Sequence, residues 1–532
     1  MGANAKKYFD TAGRVTPARF RDDLLLAVLI LFGAIAAAVL LYGNDRHVFL
    51  YFGDAASHIV KARLLIDSQY LPLESIGPVW LPLPHLLLLP FAAIDSLFFS
   101  GIAGPVIGIP CLAGTGMLLQ SMIRRTTGSR PIAFLSAVLF CLNPNVVYMA
   151  LTPMSELPLL FFVALGGYSL TRWISEGREM WLAASAAAVA LASLCRYEAW
   201  VLVPFVSSVA AINGFSAWRR KEHAEAARLF SIAGLSMAGV IVWIFWNAYE
   251  FGDALRFAPW NFRSGPISVN NPQGYRQEAV AVTLLKATLN IYGPVLLLAC
   301  LAGLERLRHT GPDRRLGLLH LFLALPAIFV LATILTDLVL IDEWWWNWRF
   351  VLVAGLFIIV TGGAGISHVL ARVHSRPARG LFVASLLAMP VVQLAVPSVS
   401  VATYEDAAKI FSGPDHVAAA FGERLGSMHK GGRIVLFTGS YGAERIMVSS
   451  GLALKTFRNI PFPGGQDIQL PIRSGDRYVV IGKRLLPDTR EVVRYWLARR
   501  ELFLRYYDIL SEDEHYLLLE RKPPTRTFRA PD

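Results

Sequence analysis

The 532-residue chain has few charged residues for its length, since Asp, Glu, Lys and Arg make up only 17% of it. A soluble protein of this size would carry about a quarter charged residues, whereas 55% of the residues here are hydrophobic. This scarcity of charge excludes a soluble globular protein for most of the chain. Apolar stretches of roughly 18 or more residues recur along it, which predicts a polytopic membrane protein.

Cysteine is also scarce, and the four cysteines lie in or beside apolar stretches: Cys111, Cys141, Cys195 and Cys300. Buried cysteine usually serves as a small packing residue, so this placement argues against a disulfide framework or a cysteine metal site. The chain also lacks an internal repeat, a low-complexity segment and an Asn-x-Ser/Thr sequon. The net charge of +12 comes mostly from loops between apolar segments, so it does not predict binding to nucleic acid.

Eleven apolar segments predict membrane spans. The ambiguous piece is 79–99, in which Pro82, Pro84 and Pro90 interrupt an apolar run and weaken a straight span. If this piece is re-entrant or interfacial, the loops predicted to be cytoplasmic hold more Lys and Arg than the external ones, as the positive-inside bias requires. The N-terminus is then cytoplasmic. The predicted spans are about 24–42, 101–122, 131–149, 156–173, 181–194, 198–212, 229–249, 283–304, 315–336, 349–371 and 379–397.

Beyond about residue 400 the composition becomes that of an ordinary water-soluble protein. Short β-rich runs and one helical pattern in this tail predict a small α/β domain. The sequence therefore predicts a transmembrane domain of residues 1–400, with an external loop at 43–79, and a soluble domain of residues 401–532 outside the cytoplasm. The β-rich runs are 433–438, 478–483 and 516–521, and the helical pattern covers 487–504.

An acid and a histidine four residues apart follow the first predicted span. Asp54 and His58 would share one face of a helix. Apolar residues at Ile59, Ala62 and Ile66 predict a short amphipathic helix over 55–68 that lies at the membrane interface. A carboxylate at the membrane boundary costs free energy unless it is solvated, so one that is retained there is a candidate for binding or catalysis. Asp54 could act as a general base on a hydroxyl group, or it could cap a helix that starts at Ala55. His58 is either a ligand-binding residue or a hydrogen-bonded interfacial side chain.

On the predicted topology, ionisable residues from distant parts of the chain lie at the outer ends of spans. Glu156 opens a predicted span, where an acid also suits the helix dipole. It could orient a hydroxyl or, with Asp54, hold a divalent cation such as Mg²⁺ or Mn²⁺. Arg196 and Glu198 share a tight turn, where they either neutralise one another or leave the guanidinium to hold a lipid phosphate. Arg349 could bind a phosphate leaving group.

Two aromatic stretches lie on the same side of the membrane as these residues. Four tryptophans occupy 344–348, and Trp346 at their centre is a candidate for stacking on a sugar or contacting a lipid. An aromatic belt at the membrane boundary explains the cluster equally well. Trp80 and His85 lie in a proline-rich stretch that could line a groove for a lipid tail, or could be an interfacial turn with no ligand.

The order of these pieces resembles that of the GT-C glycosyltransferases, the membrane enzymes related to protein O-mannosyltransferases and lipid A aminoarabinose transferase. The resemblance covers roughly residues 20–400, and the tail looks like the small external domain that some members carry. The similar pieces are Gly-Asp-x-x-x-His at 53–58, Trp-Leu-Pro-Leu at 80–83, Thr-Pro-Met-Ser-Glu at 152–156, Arg-Tyr-Glu at 196–198 and Arg-Phe at 349–350.

The resemblance implies a polytopic α-helical membrane protein of the GT-C type, with about eleven transmembrane helices and a small C-terminal α/β domain. It also implies a polyprenyl phosphate carrying one sugar as the donor, Asp54 as the catalytic base, and inversion at the anomeric carbon. Many relatives have Asp-Glu in the first loop, whereas Ala55 follows Asp54 here. Glu156 is therefore the better candidate for a second carboxylate. Metal dependence and the acceptor, which is a glycan, a lipid or a protein, stay open.

Two other classes of protein fit part of this pattern. A polytopic transporter or lipid flippase would also carry charged residues among its spans, but it would place them near the middle of the membrane. A non-catalytic scaffold would not require several separate acids and arginines on one side. The sequence therefore favours a membrane glycosyltransferase, expected in a bacterial inner membrane with its C-terminal domain outside the cytoplasm.

Overall fold

A computed structural model of the protein describes residues 17–68, 76–258, 278–309, 314–335, 348–395, 401–437, 439–459, 470–483 and 500–523. These residues are mostly helical, and a small sheet lies near the C-terminus. They form two compact units. The helical unit comprises Met1–Arg46, Pro78–Leu87 and Gly104–Asp406, and the sheet unit comprises His47–Gly77, Leu88–Ala103 and Ala407–Asp532.

The helices before the first long gap are α1 (Pro17–Asn44), α2 (Gly53–Leu64), α3 (Leu83–Ala92), α4 (Asp95–Phe99), α5 (Ala103–Thr127), α6 (Arg130–Cys141), α7 (Pro144–Ala150), α8 (Glu156–Glu176), α9 (Glu179–Ser193), α10 (Leu202–Arg219) and α11 (His223–Phe251). The later helices are α12 (Glu278–Tyr292), α13 (Pro294–His309), α14 (Arg314–Leu335), α15 (Gly355–Arg372), α16 (Arg376–Ala395), α17 (Ala402–Ile410), α18 (His416–Met428), α19 (Gly439–Ser449), α20 (Leu470–Ser474) and α21 (Arg500–Tyr506). Short 3₁₀ turns occupy Val48–Leu50, Tyr197–Ala199, Trp348–Ala354 and Leu454–Thr456, and a π-helical turn occupies Phe411–Asp415.

Seven helices in the described part of the chain are long and apolar enough to cross a membrane, or nine when two bent pairs each count as one span. The bent pairs are α6 with α7 and α12 with α13. Shorter apolar helices, α9 and the stretch Gly317–Thr333 of α14, lie at the two remaining predicted positions. Each of the eleven predicted segments thus coincides with an apolar helix or a bent pair, and the predicted class of polytopic membrane protein is confirmed.

Proline and glycine explain both bends. α6 and α7 meet at 61°, where Pro144 begins the second helix and the Asn143 side chain accepts a hydrogen bond from the Asn145 N–H at 2.9 Å. α12 and α13 meet at 98°, where Gly293 has φ of 75° and Pro294 follows. A positive φ suits glycine, and proline cannot donate the hydrogen bond that would continue the first helix.

The piece 79–99 forms no long helix. α3 contains 10 residues, with Pro90 inside it, and α4 contains 5. A helix needs about 20 residues to cross the apolar core of a membrane. These lengths agree with the prediction that the piece does not cross as one straight helix.

Close helix packing in the helical unit supports the segment that carries Arg349. α13 packs along α15, and a β-carbon on Gly365 would clash with the carbonyl oxygen of Ala299. Small residues of this kind let two helices approach closely. The turn Trp348–Ala354 leads directly into α15, and the Tyr292 hydroxyl, at the end of α12, donates to the Leu352 carbonyl of this turn at 3.1 Å.

The sheet has five strands in the order β2-β1-β3-β5-β4, with β1 parallel to both of its neighbours and the pairs β3–β5 and β5–β4 antiparallel. The three predicted runs became β1, β3 and β5, which confirms the α/β character of the tail. The sequence did not predict β2, which has three residues, or β4, which is largely exposed and lacks an apolar alternation. The strands are β1 (Ile434–Phe437), β2 (Phe457–Asn459), β3 (Tyr478–Gly482), β4 (Tyr507–Glu512) and β5 (Tyr516–Arg521).

The helix predicted after the first span is present as α2, but its burial differs from the prediction. Ile59 and Ala62 of the expected apolar stripe are buried, but Ile66 lies beyond the last residue of α2 and is 56% exposed, and the polar Ser57 and His58 are buried as well. The reason is that α2 packs against α19 inside the sheet unit, so it is buried on most sides. The predicted domain division near residue 400 stays a prediction. Residues 47–77 group in the sheet unit with residues 407–532, which we call the C-terminal segment.

Candidate active site

A cluster of two arginines and two glutamates lies in the helical unit. The Arg196 guanidinium donates through Nη1 to Glu156 Oε1 at 2.9 Å and to Ser155 Oγ at 3.0 Å. Its Nε and Nη2 donate to Glu198 Oε1 at 2.9 and 2.7 Å. Arg349 Nε lies 3.6 Å from Glu156 Oε1. The structure therefore brings together four of the residues that the sequence singled out.

These side chains converge because each lies where a helix begins or breaks. Glu156 is the first residue of α8, and Glu198 belongs to the short 3₁₀ turn after α9. Arg196 lies between that helix and that turn in extended conformation, with φ of −153° and ψ of 152°. Arg349 lies in the 3₁₀ turn before α15. Long polar side chains at helix ends can reach one another across a bundle whose interior is apolar.

The Glu156 carboxylate is buried and only partly satisfied. The residue is 4% exposed, and within the described part of the chain its Oε2 has no hydrogen-bond partner. It lines a small cavity together with Arg196, Glu198, Arg349 and Phe350, with room for about one water molecule. Since buried polar atoms are nearly always paired, this oxygen is a candidate acceptor for a group that enters the cavity.

A single aromatic ring contacts both arginines of the cluster. The guanidinium carbons of Arg196 and Arg349 lie 5.0 and 5.4 Å from the centroid of the Phe350 ring. Contacts at this distance are within the range of cation–π attraction. The neighbouring candidate Trp346, with the rest of the tryptophan cluster up to residue 347, lies outside the described residues.

The stretch with Trp80 and His85 is hydrogen-bonded to Tyr197, the residue that follows Arg196. The Tyr197 hydroxyl donates to the Val79 carbonyl at 2.8 Å and accepts from Trp243 Nε1 at 3.1 Å. The rings of Trp80 and His85 stack with their centroids 6.3 Å apart, and His85 is fully buried. The predicted lipid groove at this stretch stays a prediction.

The charged groups around Glu156 decide whether it could bind the divalent cation that the sequence allows at Asp54 and Glu156. Two guanidinium groups already face Glu156 Oε1, and their positive charges oppose the binding of a cation there. Among the residues that the structure describes, no three His, Cys, Asp or Glu side chains form a group that could hold a metal ion. The donor set at Glu156 therefore does not fit a metal ion.

Asp54 and His58 belong to α2 in the sheet unit. This helix begins at Gly53 and its N-cap residue is Phe52, so Asp54 is not the cap that the sequence allowed. It lies in the first turn instead, where a negative charge is favourable to the helix dipole. Asp54 is half-buried, and His58 is buried.

The charge of Asp54 acts on two further carboxylates of the sheet unit, those of Glu444 and Asp415, which the sequence did not predict. Burial raises the pKa of Glu444 to about 7, the charge of Lys61 opposes that rise, and the charges of Asp415 and Asp54 add to it. Burial also raises the pKa of Asp415, although the Arg445 guanidinium partly offsets this, and burial lowers the pKa of Lys61. Several hundred residues separate α2 from these acids, so no spacing rule connects them.

The raised pKa of Glu444 predicts a decline in stability as the pH rises. Because the folded protein favours the protonated carboxyl more than the unfolded chain does, its contribution is present below the unfolded pKa of about 4.5 and is lost as the pH passes about 7. We expect wild type to lose up to about 3 kcal/mol between pH 5 and 8 relative to Glu444→Gln. Unfolding midpoints of the purified protein measure this.

The matched control for that measurement is Glu512→Gln. Glu512 lies in β4 of the same unit, and a hydrogen bond from Lys483 lowers the pKa of its carboxyl, so it stays ionised over the whole range. Its curve should run parallel to that of wild type. A constant difference between Glu444→Gln and wild type from pH 5 to 8 would contradict the raised pKa.

The arrangement of helices in this chain recurs in a known membrane protein. ArnT from Cupriavidus metallidurans in the apo state matches it with a TM-score of 0.50 and 13% sequence identity, over 91% of this chain and 96% of ArnT. The chain has the GT-C fold. The resemblance to the GT-C glycosyltransferases that the sequence indicates is thereby confirmed for the fold. Residues 97–246 of this chain match the family described as dolichyl-phosphate-mannose-protein mannosyltransferase.

Two further solved structures are similar to this chain. ArnT from the same organism bound to undecaprenyl phosphate has a TM-score of 0.49 and 11% identity, over 94% of this chain and 98% of that one. The Archaeoglobus fulgidus oligosaccharyltransferase in complex with Zn and sulfate has a TM-score of 0.46 and 12% identity, over 91% and 71%. No curated protein matches the sequence significantly. A shared fold does not assign a reaction, so the function has to be argued from the site.

Proposed function

We propose that this integral membrane protein is a glycosyltransferase that moves one sugar from a polyprenyl phosphate to an acceptor hydroxyl, with inversion at the anomeric carbon. The observation that carries the proposal is the buried cluster around Glu156. It combines two guanidinium groups with a carboxylate oxygen that has no hydrogen-bond partner among the described residues. Such a cluster offers cations to a phosphate and an acceptor to a sugar hydroxyl.

In the proposed reaction the acceptor oxygen attacks the anomeric carbon and the bond from that carbon to the phosphate oxygen breaks. Asp54 takes the proton of the acceptor hydroxyl, and the electron pair of the broken bond stays on the released polyprenyl phosphate. The phosphate gains negative charge as the bond breaks, and Arg196 or Arg349 stabilises it. Glu156 and Glu198 position the sugar hydroxyls.

Among the three electrostatically coupled acids Asp54, Asp415 and Glu444, Asp54 is the best candidate for the base. Asp415 accepts a hydrogen bond from Arg445 at 3.2 Å, which holds its oxygen in place. Glu444 is coupled to Lys61 and has a pKa raised to about 7 by burial, so part of it carries a proton already at neutral pH. Asp54 is half-buried at the start of α2, which leaves room for the approach of an acceptor.

The matched family supports the class of donor. Its description names dolichyl phosphate mannose, which is a single sugar on a polyprenyl phosphate. The predicted topology supports the same class of donor. An active site on the outer face of the membrane needs a sugar donor that is delivered across the membrane, and a lipid-linked sugar meets this need. We place the enzyme in a bacterial inner membrane, with the N-terminus in the cytoplasm and the C-terminal segment outside it.

The test is transfer by the purified protein from a panel of radiolabelled polyprenyl-phosphate sugars to a crude membrane extract that supplies the acceptor. We expect wild type to move label from at least one lipid to the extract, and to leave sugar nucleotides untouched. Protein denatured by heat is the control for transfer by the extract itself. Transfer from a sugar nucleotide alone would contradict the proposed donor.

The same panel separates the enzyme from a transporter. A flippase would carry labelled lipid across the bilayer of a reconstituted vesicle without breaking the bond between sugar and phosphate. Movement of intact lipid, with the folded protein releasing no label from any donor, would overturn the proposed function.

A further inference from the structure

Arg445 of α19 is a buried cation that the proposed reaction does not use. It is 1% exposed. Its Nη2 donates to the Leu50 carbonyl, to the Phe52 carbonyl at 3.4 Å and to Asp415 Oδ2 at 3.2 Å. Its guanidinium carbon lies 5.3 Å from the centroid of the Phe411 ring. Burying a guanidinium costs free energy, so these contacts indicate that Arg445 has a specific role.

The backbone that Arg445 contacts is the start of α2. Phe52 is the N-cap residue of this helix, and its carbonyl also accepts the N–H groups of Ala55 at 3.0 Å and Ala56 at 3.4 Å. Arg445 thus shares its acceptor with the first hydrogen bonds of the helix. Asp54 is two residues beyond Phe52, so the direction of the first turn decides where its carboxylate lies.

The same C-terminal segment holds α2 at two more places. Glu444, the neighbour of Arg445, is coupled electrostatically to Lys61 near the end of the helix. Just beyond the helix, the Asp67 carboxylate accepts hydrogen bonds from the backbone N–H of Leu454 at 2.9 Å and of Lys455 at 3.4 Å. Contacts before, along and beyond α2 restrain both its position and its rotation.

We infer that Arg445 is a positioning residue for Asp54, and that the C-terminal segment thereby forms part of the catalytic apparatus. The inference rests on the proposed function, in which Asp54 is the base. A base has to lie within hydrogen-bond reach of the proton that it takes, and a displacement of about 1 Å costs roughly 100-fold in rate. In this role Arg445 acts through the backbone carbonyls of Leu50 and Phe52.

The test variant is Arg445→Lys in the full-length protein. Lysine keeps the positive charge near Asp415, but its side chain is shorter, so its ammonium does not reach the position from which Arg445 Nη2 contacts both carbonyls and Asp415. We expect kcat for sugar transfer to fall roughly 10- to 100-fold, while the KM for the polyprenyl-phosphate sugar changes less than about threefold. A partly unfolded preparation would also lower the apparent kcat at an unchanged KM, so kcat is expressed per mole of folded protein, taken from the amplitude of the unfolding transition.

The matched control is Arg458→Lys. Arg458 is a largely buried arginine of β2 in the same unit, and its Nη2 lies 3.6 Å from Asp476. Its ion pair lies within the C-terminal segment, as that of Arg445 with Asp415 does, but among the described residues Arg458 donates no hydrogen bond to α2 or to the turn before it. We expect its kcat to stay within about twofold of wild type.

A double variant shows whether Arg445 acts through Asp54. In the Asp54→Asn background, Arg445→Lys should add less than about threefold to the loss, because the group that it positions is gone. A full additional loss, or a wild-type kcat for Arg445→Lys alone, overturns the inference. If Asp54→Asn is itself as active as wild type, the base assignment of the proposed function fails instead, and the two failures are distinguishable.

If Arg445→Lys does not fold, Arg445→Gln combined with Asp415→Asn replaces it. This pair removes both buried charges, and so avoids an unpaired charge in the interior, but it still lacks the contact to both carbonyls. The expected loss in kcat at a nearly constant KM is the same. A folded double variant with the kcat of wild type overturns the inference.

Discussion

Asp54→Asn is expected to lower the rate of sugar transfer by about 10²- to 10⁴-fold, the range that a general base contributes. Asparagine keeps the shape of the side chain, but it cannot take up the proton of the acceptor hydroxyl. The stability of the protein should change by less than about 1 kcal/mol, since a charge in the first turn of a helix contributes no more than that. Initial rates of label transfer and an unfolding midpoint measure the two effects.

Asp95→Asn is the matched control for this variant. Asp95 belongs to the same unit, its side chain is 70% exposed and it pairs with Arg63 at 2.6 Å. Its loss should leave the transfer rate unchanged within about twofold, because an exposed ion pair contributes little. An Asp54→Asn variant that transfers sugar within a few-fold of wild type would remove Asp54 as the base, and attention would move to Glu444 and Asp415.

Glu156→Gln is expected to destabilise the protein by about 3–5 kcal/mol, the cost of removing one partner of a buried ion pair. Arg196 would lose one of its two charged partners, and Arg349 would keep its positive charge in a buried site. The double variant Glu156→Gln with Arg349→Gln should recover part of this loss, because it also removes a buried positive charge that faces Glu156. Unfolding of the purified protein in detergent measures all three variants.

The control for this series lies at the other end of the same helix. Glu176, the last residue of α8, accepts a hydrogen bond from Arg172 Nη2 at 3.0 Å in an exposed pair. Glu176→Gln should cost less than about 1 kcal/mol. A loss of similar size for both glutamates, or no recovery in the double variant, would show that the pairing around Glu156 is not what stabilises this site.

The positions of the spans could be predicted because the signals for them are local. Apolar runs mark where a helix can cross the membrane, and even the bends at Pro144 and Pro294 lie at residues whose chemistry breaks a helix. The candidate residues at the ends of spans could be found for the same reason, since charge is conspicuous beside apolar stretches. Glu156, Arg196 and Arg349 are therefore recognisable as candidates from the sequence alone.

The pairing of these charges could not be predicted. The sequence left open whether Arg196 neutralises Glu198 or holds a phosphate, and in the structure it donates to Glu198 and Glu156 at once. The burial of α2 was also predicted wrongly, because the pattern of Ile59, Ala62 and Ile66 describes a helix with one apolar face. A helix that packs against a distant segment is buried on sides that its own pattern does not mark.

The sequence by itself determined that this is a membrane protein with eleven apolar segments, and which few ionisable residues lie at their ends. Its tertiary structure alone decided that Glu156 would face two guanidinium groups, and that Arg445 would hold the start of the helix carrying Asp54. The physical reason is the distance along the chain over which each effect acts. Entry into a membrane and helix formation depend on composition over about 20 neighbouring residues, whereas a buried ion pair depends on how segments hundreds of residues apart pack together.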